Sequence, residues 1–209
     1  RQAVRETRSR TDTSFDNGNV HSQVVYLARA YTASGNSAWK EACLRGLDYM
    51  LEQQYANGGF PQRMLGSKGI GGRITLNDGV RIGVLGVLKD AADGRPEFAW
   101  LDAARRERAR SAVAKGVECL LKCQIRVGET LTGWCQQHDE TTFAAVGART
   151  FELASICAGD TAEVVYFFMR WERPDAAMLR SADAAMATLW QVGSNVGGNG
   201  GGGRGQGHP

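Results

Sequence analysis

Apolar residues recur at helical spacing in four long stretches of this chain, and turn residues bound each stretch. Val24, Leu27, Ala28 and Tyr31 predict a helix over Val20–Ser34, opened by Asp16-Asn17-Gly18-Asn19 and closed by Gly35. Trp39, Cys43, Leu47, Met50 and Leu51 predict a second helix over Ser37–Gln54, stopped by Asn57-Gly58-Gly59. After a glycine-rich loop, Gln62–Arg73, the stretch Thr75-Leu76-Asn77-Asp78 opens a third helix. Its stripe is Val80, Val84, Val87, Leu88 and Ala91, and Gly94 and Pro96 end it. A fourth helix, over Leu101–Gln124, turns Val113, Val117, Leu120 and Leu121 inward and leaves a basic first half exposed.

The pattern then breaks. Leu131–Ser155 is polar, aromatic and irregular, and carries His138, Asp139, Glu140, Arg149 and Glu152. A loop that rich in reactive groups, held between helices, reads as a site. Asp160-Thr-Ala-Glu163 resembles a capping box and Val164–Met169 an apolar core, which together predict a third helical unit. Beyond Pro174 the pattern decays. Residues 181–209 read as an alanine- and glycine-rich tail; nine of the last seventeen residues are glycine, and disorder is the expectation there. The folded domain is expected over residues 11–180.

The first four helices form a repeat. Gly46-Leu-Asp-Tyr-Met-Leu-Glu-Gln-Gln54 aligns with Gly116-Val-Glu-Cys-Leu-Leu-Lys-Cys-Gln124, and Gly59-Phe60 with Gly133-Trp134. Each unit opens on an Asn/Asp pair, Asp16-Asn17 or Asn77-Asp78. A helical hairpin cannot bury its stripe alone, so hairpins must pack side by side. The fold class this predicts is all-α, an α/α toroid of repeated antiparallel hairpins. In that arrangement equivalent loops gather at one end, which brings Asp16, Asp78 and the 131–155 loop to one cleft.

Composition adds bounds. A length of 209 residues suffices for one domain with a sizeable core. A net charge of +3 gives no case for nucleic acid, and no apolar run reaches membrane-spanning length. The sequence starts at Arg1 without Met or a signal peptide, and is read as a mature or excised segment. Five cysteines stand at 43, 119, 123, 135 and 157. A zinc site from Cys119, Cys123, Cys135 and His138 is conceivable, but the spacing fits no standard finger and buried thiols are the preferred reading.

Two carboxylates and an arginine in one cleft support two chemistries. The aspartates can be the acid and base of a glycoside hydrolase. Alternatively, they can hold a hard cation that neutralises an acidic sugar and acidifies its neighbouring C–H for β-elimination. The plain alternative for each aspartate is a helix cap.

Six motifs carry a family resemblance: Phe15-Asp-Asn-Gly-Asn19, Asn57-Gly-Gly-Phe-Pro-Gln62, Ile74-Thr-Leu-Asn-Asp78, Leu120-Leu-Lys-Cys-Gln124, Trp134-Cys-Gln-Gln-His-Asp139 and Ala148-Arg-Thr-Phe-Glu-Leu153. In that order the chain resembles the family 10 pectate lyases over residues 11 to about 172. The resemblance implies an α/α toroid and a secreted or periplasmic, monomeric enzyme. It implies cleavage of polygalacturonate by calcium-assisted β-elimination to 4,5-unsaturated products. It makes Asp16 and Asp78 the calcium ligands, Arg149 the catalytic base, and Asn77, His138 and Asp139 the substrate-binding candidates. A salt bridge from Arg149 to Glu152, or a carboxylate clamp, is the plainer role for that arginine. The sequence departs from the family at Gly79, where many relatives have a second acid, at Ala154, where a proline is usual, and after about residue 172. A binding module without turnover, an inverting glycosidase and a terpenoid-cyclase-like toroid are the competing readings.

Overall fold

A computed structural model describes residues 13–197. Six helices account for most of it: α1 (His21–Ser34), α2 (Ser37–Glu52), α3 (Val80–Asp93), α4 (Ala103–Cys123), α5 (Ala158–Phe168) and α6 (Ala176–Gly197). Consecutive helices pack as hairpins, α1 with α2, α3 with α4, and α5 with α6. Between hairpins the contacts are layered. The first helices meet one another, α1 with α3 and α3 with α5; so do the second helices, α2 with α4 and α4 with α6. This all-α, two-layered repeat is the architecture the apolar stripes predict.

Helix α3 is the buried centre, with Val80, Val84, Leu85, Leu88 and Ala91 within the core. The layers are keyed together by glycines on the second helix of the first two hairpins. A Cβ at Gly46 would lie 2.5 Å from Val24 Cγ2, and one at Gly116 would lie 2.4 Å from Leu85 Cδ2. Each of these branched side chains is six residues past the glycine of its opening turn, Gly18 or Gly79. Trp39, expected on the buried face of α2, is 42% exposed in the helix's first turn, and burial begins at Cys43.

The 131–155 loop is not irregular throughout. It contains strands that the sequence did not announce. Here β1 is Ile74–Thr75, β2 Arg126–Val127, β3 Thr130–Leu131, β4 Gln137–His138 and β5 Ala145–Val146. Strand β4 lies between β1 and β5, antiparallel to both; β2 and β3 form a separate small hairpin. Thr75 and Leu76, read as the opening of a helix, therefore belong to a sheet edge. Leu76 N–H donates to the Gln136 carbonyl at 2.8 Å.

Two expectations at the C-terminal end are corrected. Asp160 does not cap its helix: α5 begins earlier, with Cys157 at the cap, and Asp160 is turned inward in the first turn. Nor does the fold decay after Pro174. Helix α6 runs to Gly197 with Met178, Ser181 and Ala185 buried. The cause is a long-range lock: Gln124 Nε2 donates to the Ser181 carbonyl at 2.9 Å, and Ser181 Oγ donates to Gln124 Oε1 at 2.7 Å. The remainder of the expected tail, 198–209, lies outside the described residues.

Cys43, Cys119, Cys123 and Cys135 are buried free thiols, and Cys157 is half-buried. Cys119 and Cys123 lie beside Arg81, a fully buried guanidinium whose Nη2 donates to the Gly116 carbonyl at 2.8 Å. A hydrogen bond from Cys123 and the charge of Arg81 draw the Cys119 thiol below its ordinary value.

Candidate functional site: an acidic cleft faced by a guanidinium

Two short turns of the same shape build the floor of the site. Asp16–Gly18 and Asn77–Gly79 are 3₁₀ turns that run directly towards α1 and α3. Their middle residues are left-handed, Asn17 at φ 52° and Asp78 at φ 55°, and a glycine follows each at φ 78° and 68°. Asn and Asp tolerate that region better than other side chains, and glycine enters it freely, so both sequences suit the turn. The two turns pack against each other. Position by position, Asp16 matches Asn77 and Asn17 matches Asp78. The carboxylate has moved one place along the turn between the copies.

That offset brings two acids face to face. Burial is the main cause that raises the Asp78 carboxyl above its ordinary value, followed by the charge of Asp16 and a hydrogen bond with it; Asp160 adds to this and Arg149 opposes it. Asn77 Nδ2 donates to Asp78 Oδ2 at 2.9 Å. Asp16 Oδ1 and Asn77 Oδ1 are buried and have no hydrogen-bond partner.

The cleft above these turns has a volume of about 430 Å³. Asp16, Asn17, Gln62, Asn77, Asp78, Gln137, Arg149 and Glu152 are among the residues that line it. Arg149 follows β5, on the far side of the three-stranded sheet from Asp78. Its guanidinium is held by Glu152 in a forked pair: Nε donates to Oε2 at 2.8 Å and Nη2 to Oε1, while the Arg149 backbone N–H donates to Oε2 at 3.0 Å. These hydrogen bonds pull the Glu152 carboxyl down to about 2 and push the guanidinium up, further from losing its proton. The guanidinium also lies over the Phe151 ring, 5.0 Å from its centroid.

Four of the six candidate residues, Asp16, Asn77, Asp78 and Arg149, thus share one cleft. His138 and Asp139 do not. His138 is fully buried, its Nε2 accepts from the Cys135 backbone N–H at 3.3 Å, and its Nδ1 pairs with the Phe143 carbonyl at 2.9 Å. Burial holds it down at about 4, so it is a neutral internal brace. Asp139 spends Oδ1 on the Thr141 and Thr142 backbone N–H groups and the Thr142 hydroxyl, which closes a turn. Gln62, Arg63 and Gln137 line the cleft without having been singled out, and Gln137 is the one placed by the sheet. Strand neighbours point to opposite faces, so with His138 facing the interior, Gln137 faces the cleft. Its side chain is 1% exposed, and Oε1 has no partner.

A hairpin-repeat protein with an acidic, oxygen-rich cleft at the openings of its first-layer helices, lined also by Arg63 and Arg149, is suited to holding an anionic ligand through a cation. The chain belongs to the pectic acid lyase family, Pec_lyase, whose profile matches residues 1–198. Among solved structures it is similar to the family 10 polysaccharide lyase from Cellvibrio cellulosa, with a TM-score of 0.81 and 29% sequence identity. The match covers 84% of this chain and 55% of that one, so this chain spans about half the length of its structural relative. A point mutant of that lyase, solved in complex with trigalacturonic acid, matches with the same figures. No curated protein sequence matches the chain.

Proposed function

We propose that this chain carries pectate lyase activity, cleaving polygalacturonate by cation-assisted β-elimination to 4,5-unsaturated oligogalacturonides. The observation that carries this reading is the contact between Asp16 and Asp78, across from Arg149, in a chain of the pectic acid lyase family. The residues fit calcium, because that ion takes hard oxygen ligands and Asp16 Oδ1 and Asn77 Oδ1 are buried oxygens without a donor. When bound, the cation neutralises a uronate carboxylate and acidifies the C–H beside it. Asp16 and Asp78 would hold it, and Asn77 orients Asp78 through its amide. Arg149 stands at the opposite wall, where it meets either the acidified proton as base or the uronate carboxylate as clamp. To act as the base it must first be released by Glu152, whose pairing keeps it charged.

The relative solved with trigalacturonic acid supports an acidic polysaccharide as the partner. A polymer of that kind is met outside the cytoplasm, and secretion or a periplasmic location as a monomer goes with this reading. Among the described residues no helix is long and apolar enough to cross a membrane.

The Arg149–Glu152 pair also favours a second reading, a polysaccharide-binding module without turnover. Incubation with polygalacturonate, with calcium and with a chelator, separates the two. The lyase reading expects calcium-dependent ultraviolet absorbance from the unsaturated product. Reducing ends without that chromophore would assign a hydrolase, and binding without product would assign the module.

A further inference from the structure

We propose that Gln137 supplies a neutral oxygen ligand to the cation held by Asp16 and Asp78. This assignment rests on the cation-assisted reading above and extends it to a residue that the family resemblance did not single out as a site residue.

Three observations lead to it. First, two carboxylates are too few for a cation that takes six to eight oxygens. Among the described residues no group of three His, Cys, Asp or Glu side chains is placed to hold a metal ion. The set must therefore be completed by neutral oxygens or by water and substrate. Second, Gln137 lines the same cleft as Asp16 and Asp78, is 1% exposed, and has a buried Oε1 without a donor. A buried amide oxygen left unpaired is costly, and a cation, a water or a substrate hydroxyl that meets it removes that cost. Third, its position is fixed. Gln137 sits on the central strand, paired with Thr75 on one side and Val146 on the other. Strand β1 leads into Asn77-Asp78 and β5 leads to Arg149. The amide therefore stands between the strand that leads to Asp78 and the strand that leads to Arg149, on a backbone paired on both sides. The carbonyl of a glutamine side chain is an ordinary ligand for a hard cation.

The test uses the full chain and two variants, Gln137→Met and Gln137→Glu. Affinity is read by calorimetric titration with calcium and by terbium luminescence, neither of which needs turnover; circular dichroism and the melting temperature check folding. Methionine keeps the length and removes the oxygen. Glutamate keeps the shape and places an oxygen at both ends of the head group. The expected result is one site in the wild type, a loss on the order of tenfold or more in Gln137→Met, and affinity at or above wild type in Gln137→Glu. Equal affinity in Gln137→Met overturns this assignment and leaves the lyase reading intact. Weakened affinity in both variants, with melting unchanged, makes Gln137 a packing or sugar-hydroxyl contact and overturns it as well. A wild-type chain that binds neither ion overturns the cation reading itself, and the assignment with it.

Discussion

Gln54 and Gln124, seventy positions apart in sequence, perform the same task in successive hairpins. Each lies just past the second helix of its hairpin and donates through Nε2 twice. One bond goes to a carbonyl of its own turn, Gly58 at 3.1 Å or Thr132 at 2.7 Å. The other crosses to the second helix of the next hairpin, Ala112 at 2.8 Å or Ser181 at 2.9 Å. The repeat is therefore a repeat of bonds as well as of apolar positions. Gln124→Leu should cost about 1–3 kcal/mol, because it strands buried carbonyls and the Ser181 hydroxyl. Gln54→Leu should cost less, since Gln54 is only half-buried. Urea midpoints of the two variants check the order.

The glycine keys give a second expectation. Alanine in a helix interior is favoured over glycine by about 1 kcal/mol. At Gly46 and Gly116 the added methyl collides with Val24 or Leu85, and overpacking of that kind costs about 1–3 kcal/mol. Both alanine variants should be destabilised. Val24→Ala added to Gly46→Ala should recover part of the loss, which a double-mutant cycle measures.

Arg149 gives the sharpest functional test. If it is the base, Arg149→Lys should lose turnover by ~10²-fold or more while substrate still binds. If it is a clamp, lysine keeps the charge and mainly raises KM. Glu152→Gln adds a second arm. It frees the guanidinium from its forked partner, so a base should gain turnover and a clamp should bind substrate carboxylate more tightly. Steady-state kinetics of both variants decide. The Glu152 carboxyl itself should titrate near 2 by NMR, below its ordinary 4.5. Whatever stability the pair gives is present above the unfolded value and fades as pH falls towards 2; a rise on acidification would contradict the pair.

His138 predicts an acid-labile fold. Its folded value of about 4 lies below the ordinary 6.5, so the unfolded chain binds the proton first. Stability should be full above about pH 6.5 and fall as pH drops to about 4. The loss should be on the order of 3 kcal/mol, from the size of the shift. His138→Gln should flatten that part of the profile in denaturant titrations at several pH values.

The hairpins were legible because long amphipathic helices write their period over many residues. Val24 and Ala28, or Val80, Val84 and Leu88, are enough to find a buried face. The opening turns were legible for the same local reason, since Asp16-Asn17-Gly18 and Asn77-Asp78-Gly79 name their own conformation. The sheet was not. A strand of two residues has no period to read, and the pairing of Ile74 with His138 spans the intervening helices. That gap explains the error at the site. Without β4, nothing says that His138 turns into the core and Gln137 towards the cleft, and a histidine draws attention that a glutamine does not. Helix α6 was missed because its anchor, Gln124 on Ser181, is a contact between distant segments.

The small sheet has a mechanical consequence. Asp78 and Arg149 each follow an outer strand of one three-stranded unit by three residues, and those two strands stand two strand spacings apart, roughly 9–10 Å. Asp16 hangs from the same unit at one remove, through the Phe15 N–H on the Gln62 carbonyl and the bridge between Pro61 and Ile74. The helices carry this mounting without setting its dimensions. The strand pairing that mounts the acid and the guanidinium is made by backbone bonds of the sheet and not by the helices. Three pairs of strand residues, easily overlooked in a predominantly helical chain, thus tie the two walls of the cleft to one frame.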